Sequence, residues 1–131
     1  MRAGVRGLER RLRDITADFF RSKLGLKPQA VEAVWHEDLI LLRVHGFLTK
    51  AEEEVMAGRQ DDRAMLQAYN ERLFENLFPM LAAVLQDALS RPLREWRLIL
   101  DLGRSECIYL LRLGAGTQLR GRGPVAGGGA A

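Results

Sequence analysis

The sequence predicts an α/β domain of the α+β type, with two layers: an antiparallel sheet of two β-hairpins packed against three helices. Residues 31–45 and 96–111 are rich in large apolar residues that alternate on either side of a short turn, as in a hairpin. Other stretches repeat apolar residues at helical spacing. Because 131 residues is an ordinary length for one domain, we expect a single domain over residues 1–113.

The first helix has an amphipathic pattern and is expected to end near Gly25. Its apolar residues share one face: Leu8, Leu12, Ile15 and Phe19. One interpretation is that this face docks on the domain's own core, and the other is that a basic amphipathic helix touches an anionic membrane. The acidic residues Asp14 and Asp18 favour docking on the core.

A short helix and a long helix are predicted between the two hairpins. Thr49 followed by Glu52 forms a capping box that begins the short helix, which ends at Gly58. The long helix runs to Ser90, and we expect it to bend around Pro79 without breaking. Its apolar stripe consists of Leu66, Tyr69, Leu73, Leu77, Leu81, Val84, Leu85, Ala88 and Leu89.

Both hairpins are predicted in a definite register. A turn at Glu37-Asp38 sets Glu32 opposite Arg43 and turns Trp35 towards the core. A two-residue type II′ turn at Gly103-Arg104 brings Glu95 opposite Arg112 and turns Trp96 towards the core. In each hairpin an ion pair then joins the two strands.

The second face of the predicted sheet is too apolar to lie open to water. It carries six aliphatic residues, namely Val34, Leu39, Leu41, Ile99, Ile108 and Leu110. Because a solvated antiparallel face normally alternates to polar residues, either the first helix or a second subunit should cover it. We expect a homodimer joined through these six residues.

The charges are unevenly distributed along the chain. Residues 1–13 carry five arginines and one glutamate (+4), and residues 114–131 carry two arginines (+2), so the net charge of +3 leaves −3 for residues 14–113. A nucleic-acid-binding domain normally carries its positive charge on the fold itself, so we expect no nucleic-acid partner. The glycine-rich tail, residues 114–131, is expected to be disordered.

The sequence contains no pattern typical of catalysis, of a metal site or of a cofactor. His36 and His45 share one sheet face but lie about 20 Å apart along the strands, too far to bind one metal. Neither the lone Cys107 nor any serine lies in a nucleophile motif. No stretch is long and apolar enough to span a membrane or serve as a secretory signal, so we expect a non-enzymatic, cytoplasmic protein.

The run Gly46-Phe47-Leu48-Thr49-Lys50-Ala51-Glu52, between a strand and a helix, resembles the LTxxE centre of the bacterial MpsC-like family. Gly25 to Pro28, Arg72 in the long helix and residues 89–93 match the same family pattern, so the resemblance covers residues 8–113. The family is named for a sodium-dependent membrane-potential-generating system and occurs near genes for bicarbonate uptake. The resemblance therefore implies a soluble accessory or regulatory partner of a membrane complex.

Three residues fall on motif positions of that family and are candidates for ligand or partner binding: Thr49, Glu52 and Arg72. For Arg72 two interpretations remain open. The guanidinium pairs with Glu71, Glu75 or a strand carboxylate, or it binds a small anion such as bicarbonate, which would make the protein a small-ligand-binding module.

Overall fold

The computed structural model describes residues 2–115 and has the predicted α+β architecture. In chain order it contains helix α1 (Arg2–Phe19), a π-helical turn (Phe20–Leu24), strands β1 (Ala30–His36) and β2 (Leu39–His45), helices α2 (Lys50–Met56) and α3 (Gln60–Leu89), and strands β3 (Leu93–Asp101) and β4 (Glu106–Leu113). The four strands form one antiparallel sheet in the order β1-β2-β4-β3. From residue 116 onward, the predicted tail lies outside the described residues.

The predicted registers of both hairpins are confirmed. Glu32 lies opposite Arg43 in the first hairpin and pairs with it at 3.1 Å. Glu95 lies opposite Arg112 in the second, but the predicted ion pair is not formed within residues 2–115, because Arg112 pairs with Asp38 of the first turn. The first turn lacks a glycine, and Glu37 adopts the left-handed backbone conformation that this turn requires, with φ 57°.

The prediction of a type II′ turn at Gly103-Arg104 is wrong. β3 ends at Asp101, Leu102–Arg104 form one 3-10 turn, and Ser105 takes the positive φ of 52°. This four-residue loop lets Leu102 point into the core, where it is fully buried. The loop has one more residue on each side than the predicted two-residue turn. The register is therefore unchanged, and Asp101 pairs with Glu106.

The core lies between one face of the sheet, called the inner face, and helices α1 and α3. Trp96 on β3 stacks on Phe78 of α3 with 4.1 Å between ring centroids, and Phe20 meets Phe74 edge to face at 5.6 Å. Trp35 also packs against this core, so both tryptophans face inward as predicted. Each fully buried phenylalanine contributes about 1.5–3 kcal/mol through the apolar surface it removes from water.

Helix α3 runs without interruption through Pro79, as predicted, but its buried side is narrower than the predicted stripe. Tyr69 and Val84, which the pattern assigns to the core, are 62% and 50% exposed. The sheet and α1 cover only the side that carries Phe74, Phe78 and the residues in line with them. Residues at the margin of the stripe therefore remain in water.

Polar side chains from the helices bind free backbone groups at the two edges of the sheet. The amide of Gln67 donates to the Leu100 carbonyl at 2.7 Å and accepts from the Leu102 N–H at 3.0 Å. On the opposite edge of the sheet, a Glu9 carboxylate oxygen accepts from the Trp35 N–H at 2.8 Å. These contacts reduce the capacity of both edges to pair with another strand.

Candidate interaction surface on the outer face of the sheet

The face of the sheet that points away from the helices, called the outer face below, carries every second residue of each strand. The strand registers align these residues into four rows that cross β1, β2, β4 and β3 in that order. The rows are His36, Leu39, Arg112, Glu95; then Val34, Leu41, Leu110, Arg97; then Glu32, Arg43, Ile108, Ile99; and finally Ala30, His45, Glu106, Asp101. The six predicted aliphatic residues form one continuous patch in the first three rows.

Nothing within residues 2–115 covers this patch. Val34 and Ile99, on the two edge strands, are 54% and 45% exposed, and the other four residues are half-buried by their neighbours on the same face. None of the six contributes to the core, whereas α1 packs on the inner face through Leu12 and Phe19. The first helix is therefore not the cover of the outer face.

Three charged residues of the outer face form one ion-pair network. Arg43 lies between two carboxylates and donates from Nη1 to Glu32 at 3.1 Å and from Nε to Glu106. The hydrogen bond from Arg43 lowers the pKa of the Glu106 carboxyl, and the bonds to Glu106 and Glu32 raise the pKa of the guanidinium. Three strands are thus joined by one ion-pair network beside the aliphatic patch.

A second group of charges lies at the opposite end of the sheet, near the β1–β2 turn. The Asp38 carboxylate accepts from Arg112 Nη1 at 3.3 Å and lies 3.6 Å from Arg94 Nη2. Strand β3 has a β-bulge between Leu93 and Glu95, and Arg94 is the residue within it. Apolar residues therefore occupy the middle of the outer face, and paired charges flank them at both ends.

Comparison with known families assigns the chain to one of them. A family model described as "Na+-translocating membrane potential-generating system (MpsC)" matches residues 5–107, which include most of α1, the first hairpin, α2, α3 and β3. The chain belongs to the MpsC family. No curated protein and no solved structure matches the chain significantly. Among residues 2–115 of this MpsC protein, no helix combines the length and the apolarity that a membrane crossing requires.

Two of the MpsC motif residues form the predicted capping box at the start of α2. Thr49 Oγ1 accepts from the Glu52 N–H at 3.2 Å, and Glu52 Oε1 accepts from the Thr49 N–H at 3.0 Å. The loop before them is held by Ser105, whose Oγ accepts from the N–H groups of Phe47 and Leu48 at 2.9 and 3.1 Å. The LTxxE motif therefore joins the β2–α2 loop to the β3–β4 loop.

The third MpsC motif residue, Arg72, lies apart from the capping box on the exposed side of α3. Within residues 2–115 no carboxylate lies within 4.0 Å of its guanidinium, so the predicted pair with Glu71, Glu75 or a strand carboxylate is not formed. The same helix carries the exposed apolar residues Met65, Tyr69 and Met80. The sequence pattern did not predict this second exposed apolar group, because Tyr69 was assigned to the core and the methionines were not singled out.

The only cysteine and the central tyrosine of β4 are enclosed in the core. Burial raises the pKa of the Cys107 thiol to about 12, so the thiol is protonated at neutral pH and inaccessible to a substrate. Burial likewise raises the pKa of Tyr109, whose hydroxyl has no hydrogen-bond partner among the described residues. Neither group has the exposed, activated character of a nucleophile.

Proposed function

We propose that this MpsC protein is a non-catalytic accessory protein that acts in the cytoplasm as a homodimer, together with a membrane ion or bicarbonate transport system. The family description supports the link to a membrane-potential-generating system. One observation supports the homodimer: on the outer face, six contiguous aliphatic residues lie uncovered within residues 2–115. Patches of this kind on a folded domain typically mark protein–protein contacts.

The outer face is self-complementary about a two-fold axis that runs parallel to the strands between β2 and β4. Each residue of a row then meets the residue at the mirrored position in the same row of the second copy. Leu41 meets Leu110 of the second copy at the centre, and His45 meets Glu106 of the second copy near one end. This arrangement places no two like charges directly opposite each other.

An axis that runs across the strands fits less well. It would place Glu95 opposite Asp101 of the second copy, twice in one dimer, and like charges directly opposite each other are unfavourable. The Arg43 network is also compatible with burial in the parallel-axis dimer, because both of its carboxylates are already paired. We therefore favour the axis parallel to the strands.

The area of the outer face is sufficient for a dimer. Four strands about 4.8 Å apart, each with four residues about 6.7 Å apart on this face, cover roughly 500 Å² per copy. Two copies then bury about 1,000 Å² in total, which is about the minimum for a biological interface and is typical of a weak one. We expect a dimer of micromolar stability.

We propose that α3 contacts the membrane complex, because a dimer formed through the outer face of the sheet does not cover this helix. Arg72 lies there with exposed Met65, Tyr69 and Met80, and tyrosine, methionine and arginine are enriched at protein interfaces. Thr49 and Glu52 support this contact indirectly, because they shape the start of α2 next to α3. The alternative function, a small-anion-binding module, is supported by one observation, the lack of an ion-pair partner for Arg72 within residues 2–115.

Two matched substitutions test the dimer. Val34 on the outer face and Val84 on α3 are similarly exposed, so arginine at either position is tolerated by the fold. In the proposed dimer Val34→Arg meets Arg97 of the second copy and should yield a monomer, whereas Val84→Arg should remain dimeric. Sedimentation velocity at micromolar concentration distinguishes the two states. A monomeric wild-type protein would exclude the homodimer.

The link to a membrane complex is tested separately, in the native cell. A photo-crosslinking residue at Tyr69 should capture a transport component, and the capture should be lost on Arg72→Glu but kept on Arg63→Glu. Equal capture by the Arg72 and Arg63 variants would contradict an accessory role through α3.

A further inference from the structure

The first three turns of α1 carry an exposed row of arginines. Arg6, Arg10 and Arg13 follow the i, i+4, i+7 spacing of one helical face, so the row extends over about 10 Å. Arg6 and Arg10 are exposed and Arg13 is half-buried. Within residues 2–115 none of the three has a carboxylate within 4.0 Å.

Nearby acidic residues neutralise this row only in part. Glu9 lies in the same turns, but its carboxylate accepts the Trp35 N–H and is directed to the edge of β1. Asp18 pairs with Arg21 at 2.9 Å. Asp14 is exposed and remains the one acidic residue of the first helix without such a contact in the described structure. Arginine side chains thus dominate this side of α1.

We infer that the arginine row of α1 binds the surface of an anionic lipid bilayer. The apolar side of the same helix is already used in the core, where Leu12 and Phe19 are buried. Insertion of an apolar face into the bilayer is therefore excluded, and the attachment is electrostatic. Each arginine near an anionic bilayer strengthens binding about fivefold.

A lipid surface fits this row better than a nucleic acid. A flat bilayer needs only one face of the protein, whereas nucleic-acid binding usually relies on a basic surface of the fold, and residues 14–113 carry a net charge of −3. No aromatic residue accompanies the arginines along residues 4–18 to stack on a base. The family description, which concerns a membrane system, agrees with a lipid surface.

The test is sedimentation of the full chain with vesicles that contain equal parts of phosphatidylglycerol and phosphatidylcholine. We expect binding at 50 mM NaCl, release at 500 mM NaCl, and no binding to vesicles of phosphatidylcholine alone. The triple variant R6Q/R10Q/R13Q should bind at least about 100-fold more weakly. If this variant is poorly folded by circular dichroism, R6Q/R10Q removes only exposed side chains and should bind about 25-fold more weakly.

The matched control is K50Q/R59Q/R63Q, which removes the same charge from α2, α3 and the N-cap of α3. It should keep wild-type binding. Equal loss in both triple variants, or equal binding to neutral vesicles, would overturn the inference. Tighter binding to an RNA duplex than to the vesicles, with the same dependence on the arginine row, would assign the row to nucleic acid instead. The monomeric Val34→Arg variant should still bind vesicles, so failure of the dimer and failure of lipid binding are distinguishable.

Discussion

Leu41 and Leu110 lie directly opposite each other on the two central strands of the sheet, on the face that no described element covers. Each comes from a different hairpin, so this pair exists only because β2 pairs with β4. In the proposed dimer these two residues also meet across the interface, because Leu41 of each copy lies against Leu110 of the other. They are therefore the most direct test of the two-fold axis.

We predict that Leu41→Glu and Leu110→Lys each abolish the homodimer, because each places a charge opposite leucine twice per dimer. A mixture of the two variants should form a heterodimer, in which Glu at position 41 meets Lys at position 110 and Leu110 meets Leu41. Native mass spectrometry of the mixture measures this directly. If both variants stay monomeric when mixed, the axis parallel to the strands is wrong.

The pairing of Glu106 with Arg43 predicts a dependence of stability on pH. Because the folded pKa of Glu106 is lowered, its contribution is present above the unfolded pKa of about 4.3 and is lost as the pH falls through the folded pKa. We expect Glu106→Gln to lower the free energy of unfolding at pH 7 and to have much less effect at pH 3. Urea denaturation at both values measures the difference.

Glu53→Gln, on the exposed surface of α2, is the control for this comparison because Glu53 has no side-chain contact among the described hydrogen bonds and ion pairs. It should leave stability nearly unchanged at both pH values. An equal loss for Glu106→Gln at pH 7 and pH 3 would show that the ion pair is not its cause.

Because Thr49 caps helix α2, we expect its substitution to change the stability of the fold. Thr49→Ala should destabilise the protein by about 0.5–2 kcal/mol, because the Glu52 N–H loses its acceptor. Thr49→Ser keeps the hydroxyl and should retain most of the stability. Thermal unfolding measures both. If Thr49→Ala and Thr49→Ser unfold alike, the cap contributes nothing.

Ser105 supports the same motif from the opposite loop, and its removal should cost more. Ser105→Ala leaves the Phe47 and Leu48 N–H groups without their acceptor and should lower the free energy of unfolding by about 1–3 kcal/mol. Ser105→Gly also loses the hydroxyl but relieves the positive φ, so it should be less destabilising than alanine. Urea denaturation of the two variants ranks them, and the reverse order would contradict this account of the loop.

The accessory function and the anion-binding alternative predict different results when a small anion is added to the protein. The guanidinium is exposed, and a single solvated cation binds a small anion weakly, so we expect no saturable heat when bicarbonate is added to the protein. Isothermal titration calorimetry of the native protein and of Arg72→Ala measures this. A saturable signal that Arg72→Ala lacks would favour the small-ligand function over the accessory one.

Local patterns predicted much of the candidate surface. Alternation within each hairpin placed Val34 and Ile99 on the face opposite Trp35 and Trp96, because successive side chains of a strand point to opposite sides. The same patterns failed where solvent exposure depends on a distant element. Tyr69 continues an apolar stripe by its spacing, but neither the sheet nor α1 reaches its side of α3. The charge count located the arginines of α1, but only the fold shows that Arg6 and Arg10 are exposed among residues 2–115.

The sequence by itself determined the hairpin registers, the capping box of α2 and the six aliphatic residues of the outer face, because these depend on neighbours a few residues apart. Only the tertiary structure decided that β2 pairs with β4, that α1 and α3 share the inner face, and that Glu9 turns to the edge of β1. Such contacts join residues far apart in the chain, and local spacing carries no information about which distant surfaces bury each other. The outer face lies uncovered within residues 2–115 because these long-range contacts place both α1 and α3 on the inner face.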